Sequence, residues 1–291
     1  MDILPLVLSA SLLLPPVSPA APPPADPPAV IHLEERDADI RLIGHRGLSA
    51  LAPENTLPAI RLAAAYGLAG CEFDVFPTAD GVWVLNHDAS IDGMTTGSGQ
   101  IGDLTYQQIS SFQVDSGANV QSYPGLTLCT LSDALDLCAD AEITPVIEIK
   151  AGRWEQLDDL VDLIRRKNML EHTVIISYSY DILRYLRTGG DVIDLYWLVS
   201  AVDDQAIRLA SALPNTGLDF WAADPANTPE RIQKARDAGL ELIAWVADSR
   251  GQANALAQMG VDLITTNRLV PPPGRIQSPL KETIASPLQY P

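Results

Sequence analysis

Cysteine is nearly missing from this chain: three residues, Cys71, Cys129 and Cys138, in 291. An odd and sparse set is no disulfide framework, so the fold must rest on its core. Cys129 and Cys138 could pair, but small buried apolar side chains are the simpler reading. Basic residues are also scarce, 19 Lys and Arg against 37 Asp and Glu, for a net charge of −18. That balance excludes the basic footprint a nucleic-acid partner requires. It also argues against docking on an anionic membrane by charge. No internal repeat is present, which excludes a solenoid. The apolar run over residues 4–14 is too short to span a bilayer and is broken by Pro15-Pro16. Histidine is rare, with four in all.

What is present is enough apolar sequence, 47% of residues, for one large core. Residues 1–20 resemble a secretory signal peptide: an h-region followed by Ser18-Pro19-Ala20, although Met1-Asp2 supplies no basic n-region. The expected location is secreted or extracytoplasmic, otherwise cytoplasmic. Residues 21–39 read as a Pro-rich linker and N-terminal extension, 40–270 as the folded domain, and 271–291 as an irregular tail. No membrane-spanning segment is expected in the mature chain. Nothing in the sequence speaks to oligomeric state.

Between residues 40 and 267, short β-rich apolar runs alternate with segments of helical period. The runs are 41–44, 70–76, 145–149, 173–177, 194–200, 218–222, 241–246 and 262–265. Several are almost continuously apolar, as strands of a parallel sheet covered on both faces must be. The intervening helices carry their own punctuation. Leu57, Ile60 and Ala64 share a face before Gly67. Trp154, Leu157, Leu160, Val161 and Ile164 form a second stripe. Thr228-Pro229 opens a third helix that Gly239 closes. Eight strand–helix units predict an α/β fold, a (β/α)8 TIM barrel, with a doubly wound open sheet as the alternative.

One run breaks the repeat. Residues 82–88 follow 70–76 too closely for a crossover helix, so an antiparallel hairpin is expected, with Asp80-Gly81 in the turn. Pairing about a centre between Ala79 and Asp80 sets Glu72 opposite His87 and Asp74 opposite Leu85. Glu72, Asp74 and His87 then share a face. Residues 89–128, with one helix expected over 104–112, form a small insertion after the second barrel strand.

The polar residues at strand ends carry the chemistry. His45 and His87 each close a strand, and two imidazoles on one barrel face can divide acid and base work near neutral pH. Glu72 and Asp74 have the spacing that points two side chains the same way. Glu148 interrupts an otherwise apolar strand, and a carboxylate there must be paired or bound to a cation. Either an ion pair with Lys or Arg or a shared metal would serve. Oxygen donors without cysteine suit Ca²⁺ or Mg²⁺ as the divalent cation better than zinc. Arg46 and Lys150 are the basic groups able to meet an anion.

His45-Arg46-Gly47, Pro53-Glu54-Asn55-Thr56, Glu72-Phe73-Asp74, Thr78-x-Asp80-Gly81, His87-Asp88 and Glu148-Ile149-Lys150 occur in this order. Together they resemble the glycerophosphodiester phosphodiesterase family. The resemblance implies a TIM barrel that converts a small-molecule glycerophosphodiester into glycerol 3-phosphate and an alcohol. It implies metal binding by Glu72, Asp74 and Glu148, acid–base roles for His45 and His87, and phosphate contacts from Arg46 and Lys150. Trp245 matches a tryptophan that lines the glycerol pocket, though a core aromatic would look the same. Two positions depart: Gly93 stands where an Arg is frequent, and Asn267 where the family usually carries Asp. The competing expectations are a sphingomyelinase D or phosphoinositide phospholipase C type of barrel, and a barrel that binds phosphodiesters without turnover.

Overall fold

The structure, a computed structural model, describes residues 30–190, 193–261 and 263–280. The expected signal segment, most of the linker and the last eleven residues of the tail lie outside the described residues.

Eight parallel strands form a closed barrel. They are β1 (Arg41–Gly44), β2 (Gly70–Pro77), β3 (Thr144–Ile149), β4 (Val174–Ser177), β5 (Asp194–Val199), β6 (Thr216–Trp221), β7 (Leu242–Trp245) and β8 (Leu263–Thr266). Each pairs with the next, and β8 closes on β1 through Thr265 against Ile43. All eight apolar runs therefore became strands, with ends shifted by no more than two residues; residue 262, where the last run begins, lies outside the described residues. Among the described residues seven helices cover the outside, one in each β-to-β connection: α1 (Leu57–Ala65), α2 (Leu131–Asp140), α3 (Trp154–Arg166), α4 (Tyr180–Thr188), α5 (Asp204–Ser211), α6 (Pro229–Asp237) and α7 (Arg250–Gln258).

The packing follows from the pleat. Successive side chains of a barrel strand point alternately into the barrel and toward the helices. Ile43, Val146, Val174, Ile176, Tyr196, Leu198 and Ile243 fill the barrel interior. Leu42, Phe73, Ile147, Ile175, Leu218 and Ile264 belong to the larger core under the helices. The α3 stripe buries Leu157, Leu160, Val161 and Ile164. Trp154 leaves that stripe: it stands 46% exposed, stacked on Tyr185 at 4.6 Å. Its position at the first helical residue swings it past the barrel wall. All three cysteines are buried free thiols.

The hairpin forms, but in a different register. Trp83–Leu85 pairs antiparallel with β2 through Val75–Leu85, Phe76–Val84 and Pro77–Trp83. The loop holds three residues, Ala79 to Gly81, with Gly81 at φ +81°. That is one residue more than a two-residue turn, and it moves every opposition by one. Glu72 is not opposite His87. Instead the strand ends at Leu85, and the Asn86 amide donates to the carbonyls of Asp88 and Ser90. This bend, not strand pairing, carries His87 to the barrel mouth.

The insertion has its own small core, built from Val84, Ile91, Ile101, Ile109, Val114 and Leu128. Its α-helix is shorter than expected, Tyr106–Ile109, opened by a Thr105–Gln108 capping box. The Ser110 and Ser111 hydroxyls turn back onto the carbonyls of that short helix and compete with its continuation. Outside the barrel, Ile31–His32 pairs in parallel with Leu269–Val270 just past the end of β8, and Gln277 binds the backbone of Leu42 and Ile40 at the start of β1. No helix among the described residues is long and apolar enough to cross a membrane.

Candidate active site

The C-terminal ends of the strands converge on a pocket of about 120 Å³. His45, Arg46, Glu72, His87, Glu148, Lys150 and Trp245 all line it. Asp74 completes the set from below, 1% exposed and bonded to its neighbours. The inward parity of β1, β2, β3 and β7 accounts for these positions, with Arg46 and His87 arriving on loops.

Glu72, Asp74 and Glu148 offer one carboxylate oxygen each within 4.8 Å of one another. Such crowding opposes ionisation of all three. Burial, with Asp74 and Glu148 alongside, holds Glu72 well above the usual carboxylate range. Burial and Asp74 push Glu148 up to about 7. Asp74 goes the other way: burial works against its charge, but Lys150 and Arg46 outweigh burial and hold it below the usual range. Lys150 Nζ bridges Asp74 Oδ1 at 3.0 Å and Glu148 Oε1 at 2.8 Å. The ion pair foreseen as one reading of Glu148 is therefore present, within the same acidic cluster. Glu72 Oε1 remains buried without a hydrogen-bond partner. An unclaimed carboxylate oxygen among all-oxygen donors fits a hard divalent cation.

The flanking motifs buttress this cluster. Arg46 sits at φ +56°, and its N–H donates to Glu72 Oε2 at 2.8 Å. Gly47 follows at φ +84°, where a Cβ would come within 2.4 Å of the Ala59 Cβ, so only glycine fits between β1 and α1. The Arg46 guanidinium binds Glu54 at 2.8 Å and lies 3.5 Å from Asp74. Asn55, also left-handed at φ +56°, donates to Asp74 Oδ2 at 2.8 Å and accepts the Asp74 N–H at 3.0 Å. The Pro53–Thr56 motif thus supports the acidic cluster from behind.

The two histidines differ in surroundings. His45 is held by Asn267, Nδ1 to Oδ1 at 2.8 Å. Asn267 is itself clamped: its N–H and Nδ2 donate to Asp248 Oδ1 and Oδ2 at 2.8 and 2.7 Å. The amide nitrogen being spent on Asp248, Asn267 turns its oxygen to His45, which assigns the His45 proton to Nδ1 and leaves Nε2 a bare acceptor. Burial, and then Arg46, lower the His45 pKa. His87 is more open, with Nδ1 2.9 Å from Asp88 Oδ1.

A model of the glycerophosphoryl diester phosphodiesterase family matches residues 45–270. Glycerophosphodiester phosphodiesterase 1 of Mus musculus is 40% identical over 267 residues, 81% of this chain and 80% of that one. The chain belongs to the glycerophosphoryl diester phosphodiesterase family. It is accordingly a phosphoric diester hydrolase. The glycerophosphodiester phosphodiesterase of Agrobacterium tumefaciens superposes with a TM-score of 0.68 at 25% identity, over 78% of this chain and 96% of that one. An Oleispira antarctica phosphodiesterase, solved with the product sn-glycerol-3-phosphate, has the same fold at a TM-score of 0.72 and 24% identity, over 78% and 93%.

Three contributors to this phosphodiesterase pocket were not singled out from sequence: Asn55, Asp248 and Asp219. Asp219 lines the pocket from β6, 2% exposed. Burial and then Glu148 raise its pKa well above the ordinary value. Its signal was available, since it interrupts an apolar strand much as Glu148 does. Asp248 acts through Asn267, whose side chain it fixes against His45.

Proposed function

We propose that this enzyme hydrolyses glycerophosphodiesters to glycerol 3-phosphate and an alcohol. Glu72, Asp74 and Glu148 would hold a divalent cation, Ca²⁺ or Mg²⁺, with His45 as base and His87 as acid. The observation that carries the reading is the convergence of three carboxylates within 4.8 Å and two histidines on one pocket. The Oleispira protein's product, sn-glycerol-3-phosphate, is the product adopted for this chain.

When bound, the cation supplies Lewis-acid neutralisation of the phosphate oxygens. The protein's part follows from its own groups. His45, neutral and with Nδ1–H committed to Asn267, takes the proton of the attacking hydroxyl at Nε2. His87, whose Nδ1 faces Asp88, delivers a proton to the departing alkoxide oxygen. Arg46 and Lys150 face the phosphate while keeping Glu54, Asp74 and Glu148 in place. The attacking oxygen is either water or the substrate's own hydroxyl; a cyclic phosphate trapped by ³¹P NMR identifies the second route. Export from the cytoplasm is part of the proposal and rests on residues 1–20.

Purified protein, assayed on glycerophosphocholine and glycerophosphoethanolamine, should release glycerol 3-phosphate, and EDTA should abolish the release. Activity indifferent to EDTA would overturn the metal assignment.

A further inference from the structure

The far wall of the pocket carries a group the reaction above does not use. Asp219 is at an inward position of β6, between Leu198 of β5 and Ile243 of β7 in register. In an eight-stranded barrel β6 stands four strands from β2 in either direction, so Asp219 faces the Glu72–Asp74 edge across the mouth. Its Oδ1 is buried and has no hydrogen-bond partner. Leaving a carboxyl in that state is costly unless a ligand completes it. Trp245, on the same pocket, has a buried indole N–H that is equally unpartnered.

These two orphans are complementary in kind. A carboxyl oxygen accepts, and an indole N–H only donates. A hydroxyl can donate to the first and accept from the second, whereas a trimethylammonium head group can do neither. We infer that Asp219 is a specificity residue that receives a hydroxyl of the substrate's glycerol unit, with Trp245 as its counterpart. The glycerol then spans the mouth from the acidic cluster toward β6, and the departing alcohol is left toward solvent. This rests on the phosphodiesterase reading, since it needs the phosphate at the Glu72–Asp74–Glu148 edge. Asp219 would thus tell a glycerol ester from a phosphodiester lacking that hydroxyl.

The test is binding rather than turnover. Glycerol 3-phosphate and inorganic phosphate are titrated calorimetrically, in the presence of Ca²⁺ or Mg²⁺, into the full chain and its Asp219→Leu and Asp219→Asn variants. Asp219→Leu should weaken glycerol 3-phosphate about tenfold or more, the worth of one hydrogen bond to a buried carboxyl. Inorganic phosphate should bind it as it binds the unaltered chain. Asp219→Asn keeps one acceptor oxygen and should fall between. An unchanged affinity for glycerol 3-phosphate in Asp219→Leu, or an equal loss for both ligands, overturns the inference. Should Asp219→Leu not fold, the near-isosteric Asp219→Asn decides: an unaltered preference for glycerol 3-phosphate over phosphate overturns it. Failure of the unaltered chain to bind either ligand refutes the phosphodiesterase reading first, and this inference with it.

Discussion

Cation binding should make the stability of this enzyme independent of a proton that it otherwise has to keep. Without a cation, Glu148 titrates near 7 when folded, against roughly 4.3 for a free glutamate. Its pKa is raised by folding, so below about pH 4 both states hold the proton and Glu148 imposes no penalty. As pH climbs toward 7 the unfolded chain releases its proton while the folded chain retains it, and folding stability falls; above 7 the loss is complete. A shift of this size is worth on the order of 3 kcal/mol, and Glu72, displaced in the same direction, adds to it. For a domain of this size that is roughly 6–12 °C in Tm. A bound divalent cation keeps the carboxylates ionised and binds only the folded state, so it removes the penalty and adds its own mass-action term. The assay is a pair of melting curves, saturating Ca²⁺ or Mg²⁺ against EDTA, at intervals from pH 5 to 8.5. Taking the difference at each pH cancels the titration of every carboxylate outside the Glu72–Asp74–Glu148 cluster. The cation's increment in Tm should be small at pH 5 and grow through pH 7, and Glu148→Gln should flatten it. An increment that is constant across that range, or that survives intact in Glu148→Gln, would refute the reasoning.

The histidines and their supports give three more expectations. His45→Ala and His87→Ala should each lose roughly 10²–10⁴-fold in kcat while the cation-dependent rise in Tm persists; full activity in either variant removes that residue from the chemistry. Asn267→Asp places a carboxylate on His45 Nδ1, which favours the imidazolium and raises the His45 pKa. Because a base must be unprotonated to act, the acid limb of the kcat/KM profile should move to higher pH, and an unmoved limb would show that His45 is not the base. Gly47→Ala forces a Cβ toward Ala59 at a positive φ and should cost more than about 1 kcal/mol of stability, read as a lowered denaturant midpoint at unchanged slope.

The barrel was legible because its strands are apolar runs bounded by Gly and Pro, a pattern that needs no tertiary information. Glu72, Asp74 and Glu148 were legible for a related reason: a carboxylate among buried apolar residues is expensive enough to demand a partner. Asp219 obeys the same rule, a lone acid within the apolar run 218–222, but the sequence offers no partner for it, and in the structure its Oδ1 is buried without a hydrogen bond. The hairpin shows a subtler failure. His87 reaches the site, but the register that seemed to place it is off by one, because Gly81 adds a third residue to the turn. Local sequence does not distinguish a two-residue from a three-residue loop at Ala79-Asp80-Gly81, and the Asn86 bend that repairs the consequence is set by bonds to Asp88 and Ser90. The Asp248–Asn267–His45 chain was out of reach for another reason. Its members come from the segments that follow β7, β8 and β1, and only closure of the barrel brings them together.

Charge at the pocket gives the proposed cation a part in binding as well as in chemistry. The chain carries −18, and its substrate is an anion. The two basic groups of the pocket are already engaged, Arg46 by Glu54 and Asp74, and Lys150 by Asp74 and Glu148. With Glu72 added, the carboxylates at this edge of the mouth outnumber the cations four to two, before Asp219 on the far wall is counted. A phosphodiester approaching that edge meets a negative field, and partial protonation of Glu72 and Glu148 relieves it only in part near neutral pH. A divalent ion would bring that edge closer to balance and leave Arg46 and Lys150 freer to share their donors with phosphate. The overall acidity then has a use: away from the mouth it repels anions, while a metal-loaded pocket would offer an anionic ester a compensated surface.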